Sequence, residues 1–360
     1  MTTTKIISSL FLSALCATFF TSCESKDDSV ESPEISTGVF VLNQGKFEAN
    51  NAGLTYYDFA TGTASTDVFS AKNNRGLGDT GQDMIKYGSN IYIAVYKSSI
   101  IEVVNIKTGM STKSIPMKNA AGTSSSPRSL TSANGKVYIV LYDGHVTELD
   151  TLSLTLGKTI AVGANPDASV IVNNKLYVAN TGGMSAVKDS TISVINLSSF
   201  TETKKITVNM NPGTIKADSY GDIYVVSKGN YGLIPGKFQR IEAGTDKVSD
   251  IDLKVQNFDI VGDQAYISNF DYDASWQAVN KTIALYDVKN EKLLKANIVN
   301  TEILKTPYCI NVDPTSKDIY LGVSDYSNLG KMYCYAQDGT FKFSFATGLN
   351  PAKVVFISNN

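Results

Sequence analysis

Catalysis through an imidazole would have to use a single residue, because the 360-residue chain holds one histidine, His145. It follows Asp143-Gly144, a polar turn ahead of a strand-like run, where a solvent-exposed side chain is the ordinary outcome. One imidazole cannot make a two-histidine metal site, and no Cys-x-x-Cys pair offers thiolates in its place. Neither a metal nor a cofactor is expected. A Ser-His-Asp relay through His145 stays open, with no Gly-x-Ser-x-Gly elbow to support it. The glycine-rich Arg75-Gly76-Leu77-Gly78 has no strand-to-helix setting, so it is weak ground for a phosphate site. The residues point away from an enzyme.

Groups suited to binding are plentiful in the loop-like stretches. These carry the aromatics Phe47, Tyr231, Phe270, Tyr272, Trp276 and Tyr326. The ends of the neighbouring strands add Asn43, Gln44, Asn180, Asn269 and Asp271, and segments that link repeats add Arg75 and Arg128. Disordered loops are poor in aromatics. Aromatic rings interleaved with amides and carboxylates instead make an amphipathic binding surface. The alternative is that the rings fold back over neighbouring strands.

What must hold these residues is a repeat. Its clearest copy opens at Asn165-Pro166 and continues through Lys175-Leu176-Tyr177-Val178-Ala179-Asn180, Thr191-Ile192-Ser193-Val194-Ile195-Asn196-Leu197 and Thr203-Lys204-Lys205-Ile206-Thr207-Val208. Asn211-Pro212 opens the next copy. An aromatic marks the second strand of each unit: Phe40, Tyr92, Tyr138, Tyr177, Tyr224, Tyr266 and Tyr320. Their spacing, about 39 to 54 residues, brackets the length of a four-stranded propeller blade. Runs such as Ile91-Tyr92-Ile93-Ala94-Val95-Tyr96 are apolar on both sides, which suits strands covered on two faces. Their β-branched and Tyr-rich content argues against a buried helix.

The copy at Asn165 resembles the YVTN family of β-propeller repeats, whose pattern runs Tyr-Val-Ala-Asn, a Ser-Val-Ile strand, a Thr-Ile-Val strand, then Asn-Pro. The expected fold is therefore all-β: a seven-bladed β-propeller closed by the C-terminal strand, which completes the first blade. The first unit, from Gly38, starts on a second-strand sequence. The chain ends on a first-strand sequence, Asn350-Pro351-Ala352-Lys353-Val354-Val355-Phe356-Ile357, which supplies the missing strand and removes an open edge. Cys309 falls in the first strand of blade seven and Cys334 in the third. Two strand spacings, about 9.6 Å, separate them. A disulfide needs less than about 7 Å, so both are expected as free, buried thiols. The second-to-third hairpins differ in length, from almost nothing at Lys97-Ser98-Ser99 to the long Gln44–Gly53, Thr181–Ser190, Ser227–Gly236 and Phe270–Asn280 stretches and the shorter Ser324–Leu329. Long connections in a bare scaffold are a mark of function or disorder.

Lys5 and the apolar run Ile6 to Phe20, too short to span a bilayer at about 20 residues, read as a secretory signal. The following Thr21-Ser22-Cys23 resembles a bacterial lipobox, which implies lipidation of Cys23 and loss of residues 1–22. Residues 23–37 read as an acidic flexible tether, and residues 38–360 as the propeller. The acidic run also resembles the surface-export signal of some Gram-negative lipoproteins, with a plain solvated spacer as the other reading. Membrane attachment is expected through lipid alone. With a formal net charge of −2 there is no basic excess for nucleic acid. A lipidated, acid-tethered propeller of this kind looks like the BtuG-type surface lipoproteins. That resemblance implies an outer-membrane, cell-surface protein that captures a corrinoid (vitamin B12 and relatives) and passes it to a TonB-dependent transporter. A broad amphipathic ligand edged with amides suits a rim of aromatic, Asn and Gln groups. The alternatives are a propeller that binds a glycan or a partner protein, and a lactonase-like hydrolase. The last would need several channel carboxylates around a metal, and the first strands offer few. The single Trp276 argues against the Trp-rich repeats of quinone-dependent propeller dehydrogenases.

Overall fold

In a computed structural model, residues 36–358 are described, and they form seven antiparallel sheets of four strands each. The innermost strands of blades one to seven are Pro351–Ser358, Gly81–Tyr87, Pro127–Ala133, Pro166–Val172, Pro212–Ala217, Asn257–Val261 and Thr306–Val312. The second strands are Ser36–Asn43, Asn90–Val95, Lys136–Leu141, Lys175–Asn180, Ile223–Ser227, Gln264–Tyr272 and Ile319–Ser324. Every expected aromatic lies on its second strand and is buried. The only helix among the described residues is short, Val68–Asn73, and it plugs the side of blade one with the buried Phe69.

The core is not one mass but seven interfaces, each formed by side chains from two adjacent blades. This explains the continuous apolar runs: Tyr92 and Ala94 face blade three, while Ile91, Ile93 and Val95 face blade one. Alternate residues of one strand serve different neighbours.

Closure follows the expected route. Pro351–Ser358 pairs antiparallel with Ser36–Asn43, placing Phe356 opposite Val39, Val355 opposite Phe40 and Val354 opposite Val41. Tyr57 of blade one stacks on Phe343 and Phe345 of blade seven, at 4.9 and 4.4 Å between ring centroids, which packs the seam from the outside. One boundary is corrected. Ser36 and Thr37, expected in the tether, belong to the sheet: Ser36 pairs with Ser358, and the Thr37 hydroxyl donates to the Ile357 carbonyl at 3.2 Å. The signal segment, Cys23 and the tether up to residue 35 lie outside the described residues.

Cys309 and Cys334 are free and buried, on the first and third strands of blade seven. Burial pushes both thiols up to about 12. Raised acids stabilise the fold below their unfolded pKa, near 9 for a thiol, and that contribution is lost as pH rises towards 12. A thiol reagent at pH 8 is expected to leave both groups unmodified in the native protein and to titrate them on denaturation. Rapid reaction of either thiol in the native state would contradict the packing of blade seven.

Candidate functional site at the aromatic rim

The second strand of each blade ends where the first begins; in blade one, Asn43 is paired with Pro351. The hairpins to the third strands and the linkers between blades therefore share one face. They are tied together by backbone bonds, such as Gln44 N–H to Asn350 O (2.9 Å), Tyr96 N–H to Thr80 O (2.8 Å), Tyr142 N–H to Ser126 O (2.9 Å) and Lys228 N–H to Asn211 O (2.9 Å). A register shift recurs at this end of the inner pairing in six blades, between Gly81 and Asp83, Pro127 and Ser129, Pro166 and Ala168, Pro212 and Ile215, Pro307 and Cys309, and opposite Leu42 and Asn43. Such bulges re-aim a side chain. Here they sit beside Gln82, Arg128, Asp167, Gly213, Tyr308 and Ala352, of which Gln82, Arg128, Asp167 and Ala352 line the central channel.

Blades six, seven and one build a continuous arc on this face. The indole of Trp276 lies 5.8 Å from the Tyr272 ring, and Phe270 meets Tyr272 edge-on at 5.3 Å. The Tyr272 and Tyr326 hydroxyls are hydrogen-bonded at 2.8 Å. Tyr326 packs edge-on against Tyr308 at 5.8 Å, and the Tyr308 hydroxyl donates to Gln44 Oε1. Burial pushes the Tyr308 phenol up to about 12, and burial with the Tyr272 hydrogen bond raises that of Tyr326 further. Both are neutral hydrogen-bonding groups at physiological pH. Trp276 is 77% exposed, Tyr272 42% and Tyr326 45%, so the arc offers ring surface to solvent.

The turns that display these rings share one conformation. Tyr231, Trp276 and Tyr326 have φ of 58°, 59° and 62°, a left-handed conformation that bulky residues rarely adopt. Each turn is pinned by a short polar side chain. Asn230 accepts from the Gly232 and Ile234 amides, Asp273 from those of Ser275 and Gln277, and Asp325 from those of Ser327 and Asn328. Lys305 pairs with Asp325 at 2.7 Å, and this bond is the main reason its carboxyl lies far below the usual range. The same pinned left-handed turn occurs at Leu154 and Phe200, so it is a recurrent turn of this propeller; at the rim it holds three aromatics outward.

Among the residues singled out in the sequence, the structure brings Gln44, Phe270, Tyr272, Trp276 and Tyr326 together. Asn269 and Tyr231 lie nearby, in a cleft of about 640 Å³ between blades five and six. Phe47 sits apart at the edge of blade one, half-exposed beneath Lys97 at 4.8 Å. Arg128 is at the channel mouth, between Tyr96 and Tyr142 at 5.1 and 5.2 Å, with its Nε 2.6 Å from Asp167.

Four expectations are corrected. Phe270 is on the second strand and only 7% exposed, because the blade-six hairpin continues as paired strand to Tyr272. It backs Tyr272 and does not itself face solvent. Asn43 and Asn180 are buried. Asn180 accepts from the Gly163 amide and donates to Thr191 and Ser193, and Asn43 donates to Thr55. These amides fasten hairpin ends and linkers. Arg75 is turned away towards the third and outer strands of blade two, where it bonds the fully buried Glu102 at 2.6 Å and Ser111 at 3.0 Å. Asn180→Ala would strand the Gly163 donor and the Ser193 hydroxyl, while the Thr191 hydroxyl keeps its bond to Asp189. It is expected to lower unfolding free energy by about 2–4 kcal/mol, measured by denaturant titration.

Three rim residues were missed: Tyr308, Tyr96 and Tyr142. Tyr308 follows Pro307 as Arg128 follows Pro127, so the repeat itself marked the position, and its ring and hydroxyl meet Tyr326 and Gln44. Tyr96 and Tyr142 directly follow second strands, as Gln44 does.

The channel holds its own charges in pairs. Lys353 lies 3.3 Å from Asp83 and Lys216 2.7 Å from Asp259. Asp83 is the main cause that raises the Lys353 pKa. No group of three or more metal-ligating side chains occurs among the described residues. The relay left open at His145 is not assembled. Asp143 stands between the two partners, 3.0 Å from His145 Nδ1, and the Ser125 hydroxyl donates to Asp143 at 2.6 Å.

A family model described as a domain of unknown function, DUF5074, matches residues 37–346. A comparison with curated proteins gave no match. Similar solved structures include a quinonprotein alcohol dehydrogenase-like protein from Bacteroides thetaiotaomicron, with a TM-score of 0.63 and 16% identity over 89% of this chain and 78% of that one. A putative 6-phosphogluconolactonase from Bacteroides fragilis aligns with a TM-score of 0.63 and 13% identity, over 89% of this chain and 98% of its own. Another, from Bacteroides uniformis, has the same TM-score, 14% identity and coverage of 89% and 100%. At such identities the likeness establishes the propeller fold alone.

Proposed function

We propose that this chain, which belongs to the DUF5074 family, is a binding propeller that captures a corrinoid on its aromatic rim and delivers it to a TonB-dependent outer-membrane transporter. In this reading lipid on Cys23 holds the protein at the outer-membrane surface. One observation carries the binding role: the unbroken arc from Trp276 through Tyr272, Tyr326 and Tyr308 to Gln44, with open ring surface, neutral phenols and an amide. A broad, amphipathic ligand edged with amides can stack on the rings and exchange hydrogen bonds with those groups. The corrinoid identity and the transporter come from the resemblance of a lipidated propeller to surface capture proteins. A glycan- or protein-binding role is the second reading, favoured by the exposed loop tips at Tyr231 (74%) and Leu233 (97%).

The test mixes purified protein with cyanocobalamin, desalts the mixture and reads the visible spectrum. Co-elution of the red ligand supports capture. Its absence at micromolar concentration removes the corrinoid and leaves the glycan or protein reading.

A further inference from the structure

The hairpin of blade six is a partition. Along its second strand, Ala265 and Ile267 pack towards blade five while Tyr266 packs towards blade seven. The alternation continues above the core. Phe270 and Tyr272 are on the blade-seven side, where Tyr272 meets Tyr326. Asn269 and Asp271 are on the blade-five side, where they line the 640 Å³ cleft. One strand thus divides two compartments of different chemistry, an aromatic wall and a polar cleft.

The cleft has an apolar floor of Val226, Phe238 and Val255, and a polar rim. Lys237 and Asp250 neutralise each other at 2.5 Å. Lys254 stands 3.8 Å from Asp271, beyond hydrogen-bond reach. Lys228 and Asp252 have no ion-pair partner among the described residues. Lys228 lines the cleft where it borders the inner end of blade five, and a Cβ on Gly213 would lie 3.7 Å from its Cε. At the lip stands Tyr231, held outward in its left-handed turn.

We infer that this cleft is a separate subsite for a sugar-phosphate arm of the ligand whose flat part lies on the aromatic arc. Lys228 meets the anionic oxygens, Asp252 and Asn269 the hydroxyls, and Tyr231 offers a ring to a terminal base. The volume falls within the range of small-molecule pockets, about 300–1,000 Å³. This inference rests on the corrinoid reading.

The test compares two probes, cyanocobalamin, which carries a nucleotide arm, and dicyanocobinamide, which lacks it. The unmodified protein is expected to bind cyanocobalamin at least tenfold more tightly. Lys228→Ala combined with Asp252→Ala is expected to bring the ratio of the two affinities close to one. Equal binding of both probes by the unmodified protein, or a ratio that survives the double substitution, overturns the subsite while leaving the arc in place. Failure of both probes to bind the unmodified protein overturns the corrinoid reading, and the inference with it.

Discussion

Removal of residues 350–360 is expected to abolish the cooperative thermal transition of the propeller, or to lower its midpoint by well over 10 °C. The lost segment supplies the whole inner strand of blade one. Val354 and Val355 are buried, and the rings of Phe356 and Tyr320 pack 5.2 Å apart across the seam with blade seven. At about 1.5–3 kcal/mol for each fully buried large apolar side chain, the strand's apolar residues contribute on the order of 5 kcal/mol. That is comparable with the whole stability of an ordinary domain, about 5–15 kcal/mol. Polar groups add to the cost. Asn350 donates to the Gly45 carbonyl at 2.9 Å, Asn311 accepts from the Val354 amide at 3.1 Å, and Lys353 neutralises Asp83 in the channel. The second strand of blade one would be left with an unpaired edge. Differential scanning calorimetry of the truncated chain gives the answer directly, and an unchanged midpoint would mean that the ring is not held shut by this strand.

The second large effect concerns binding. Trp276→Ala combined with Tyr272→Ala is expected to weaken affinity for the captured ligand by about 100-fold, near 2.7 kcal/mol, in the range of aromatic hot spots. Both side chains are well exposed, so the thermal midpoint should move little. The two rings touch, and the effects of the single substitutions should not add. Removing Tyr272 also leaves the Tyr326 hydroxyl without its partner, so that single change is expected to cost more than the loss of one ring face. Isothermal titration of the two single variants and the double variant checks this. Full affinity in the double variant would move the site off blades six and seven.

The blades were legible because their signal is repeated. Each second strand bears a buried aromatic in an apolar run, and burial on both faces removes the alternation a one-sided sheet would show. The closing strand was legible for a related reason: Pro351–Ser358 opens on Asn350-Pro351 as the first strands of blades four and five open on Asn-Pro, and Ser36–Asn43 carries the aromatic of a second strand. The site was harder to read, since surface chemistry does not repeat. Asn43 and Asn180 look like rim amides in sequence, but both are buried at the hairpin ends, where Asn180 bonds the Gly163 amide and two hydroxyls and Asn43 donates to the Thr55 hydroxyl. Arg75 looks like a free cation until Glu102, buried on a neighbouring strand, appears beside it. Phe270 was misplaced because nothing in the sequence signals that blade six pairs beyond its core. The left-handed turns at Tyr231, Trp276 and Tyr326 had a partial signal, an Asn or Asp one or three residues before the aromatic. That spacing acquires meaning only when the backbone is seen to fold around it.

The most direct measurement of the rim as a binding face uses the fact that the chain has one tryptophan, Trp276, and that it stands on the arc. Tryptophan emission followed during titration with cyanocobalamin, corrected for the ligand's own absorption, reports on that face through comparison with a variant of the arc. Saturable quenching with a micromolar or tighter midpoint, absent in a Trp276-intact protein whose Tyr272 and Tyr326 are both replaced by Ala, is the predicted result. Tight binding seen by co-elution with no change in the emission of Trp276 would contradict it, and would place the ligand elsewhere on the propeller.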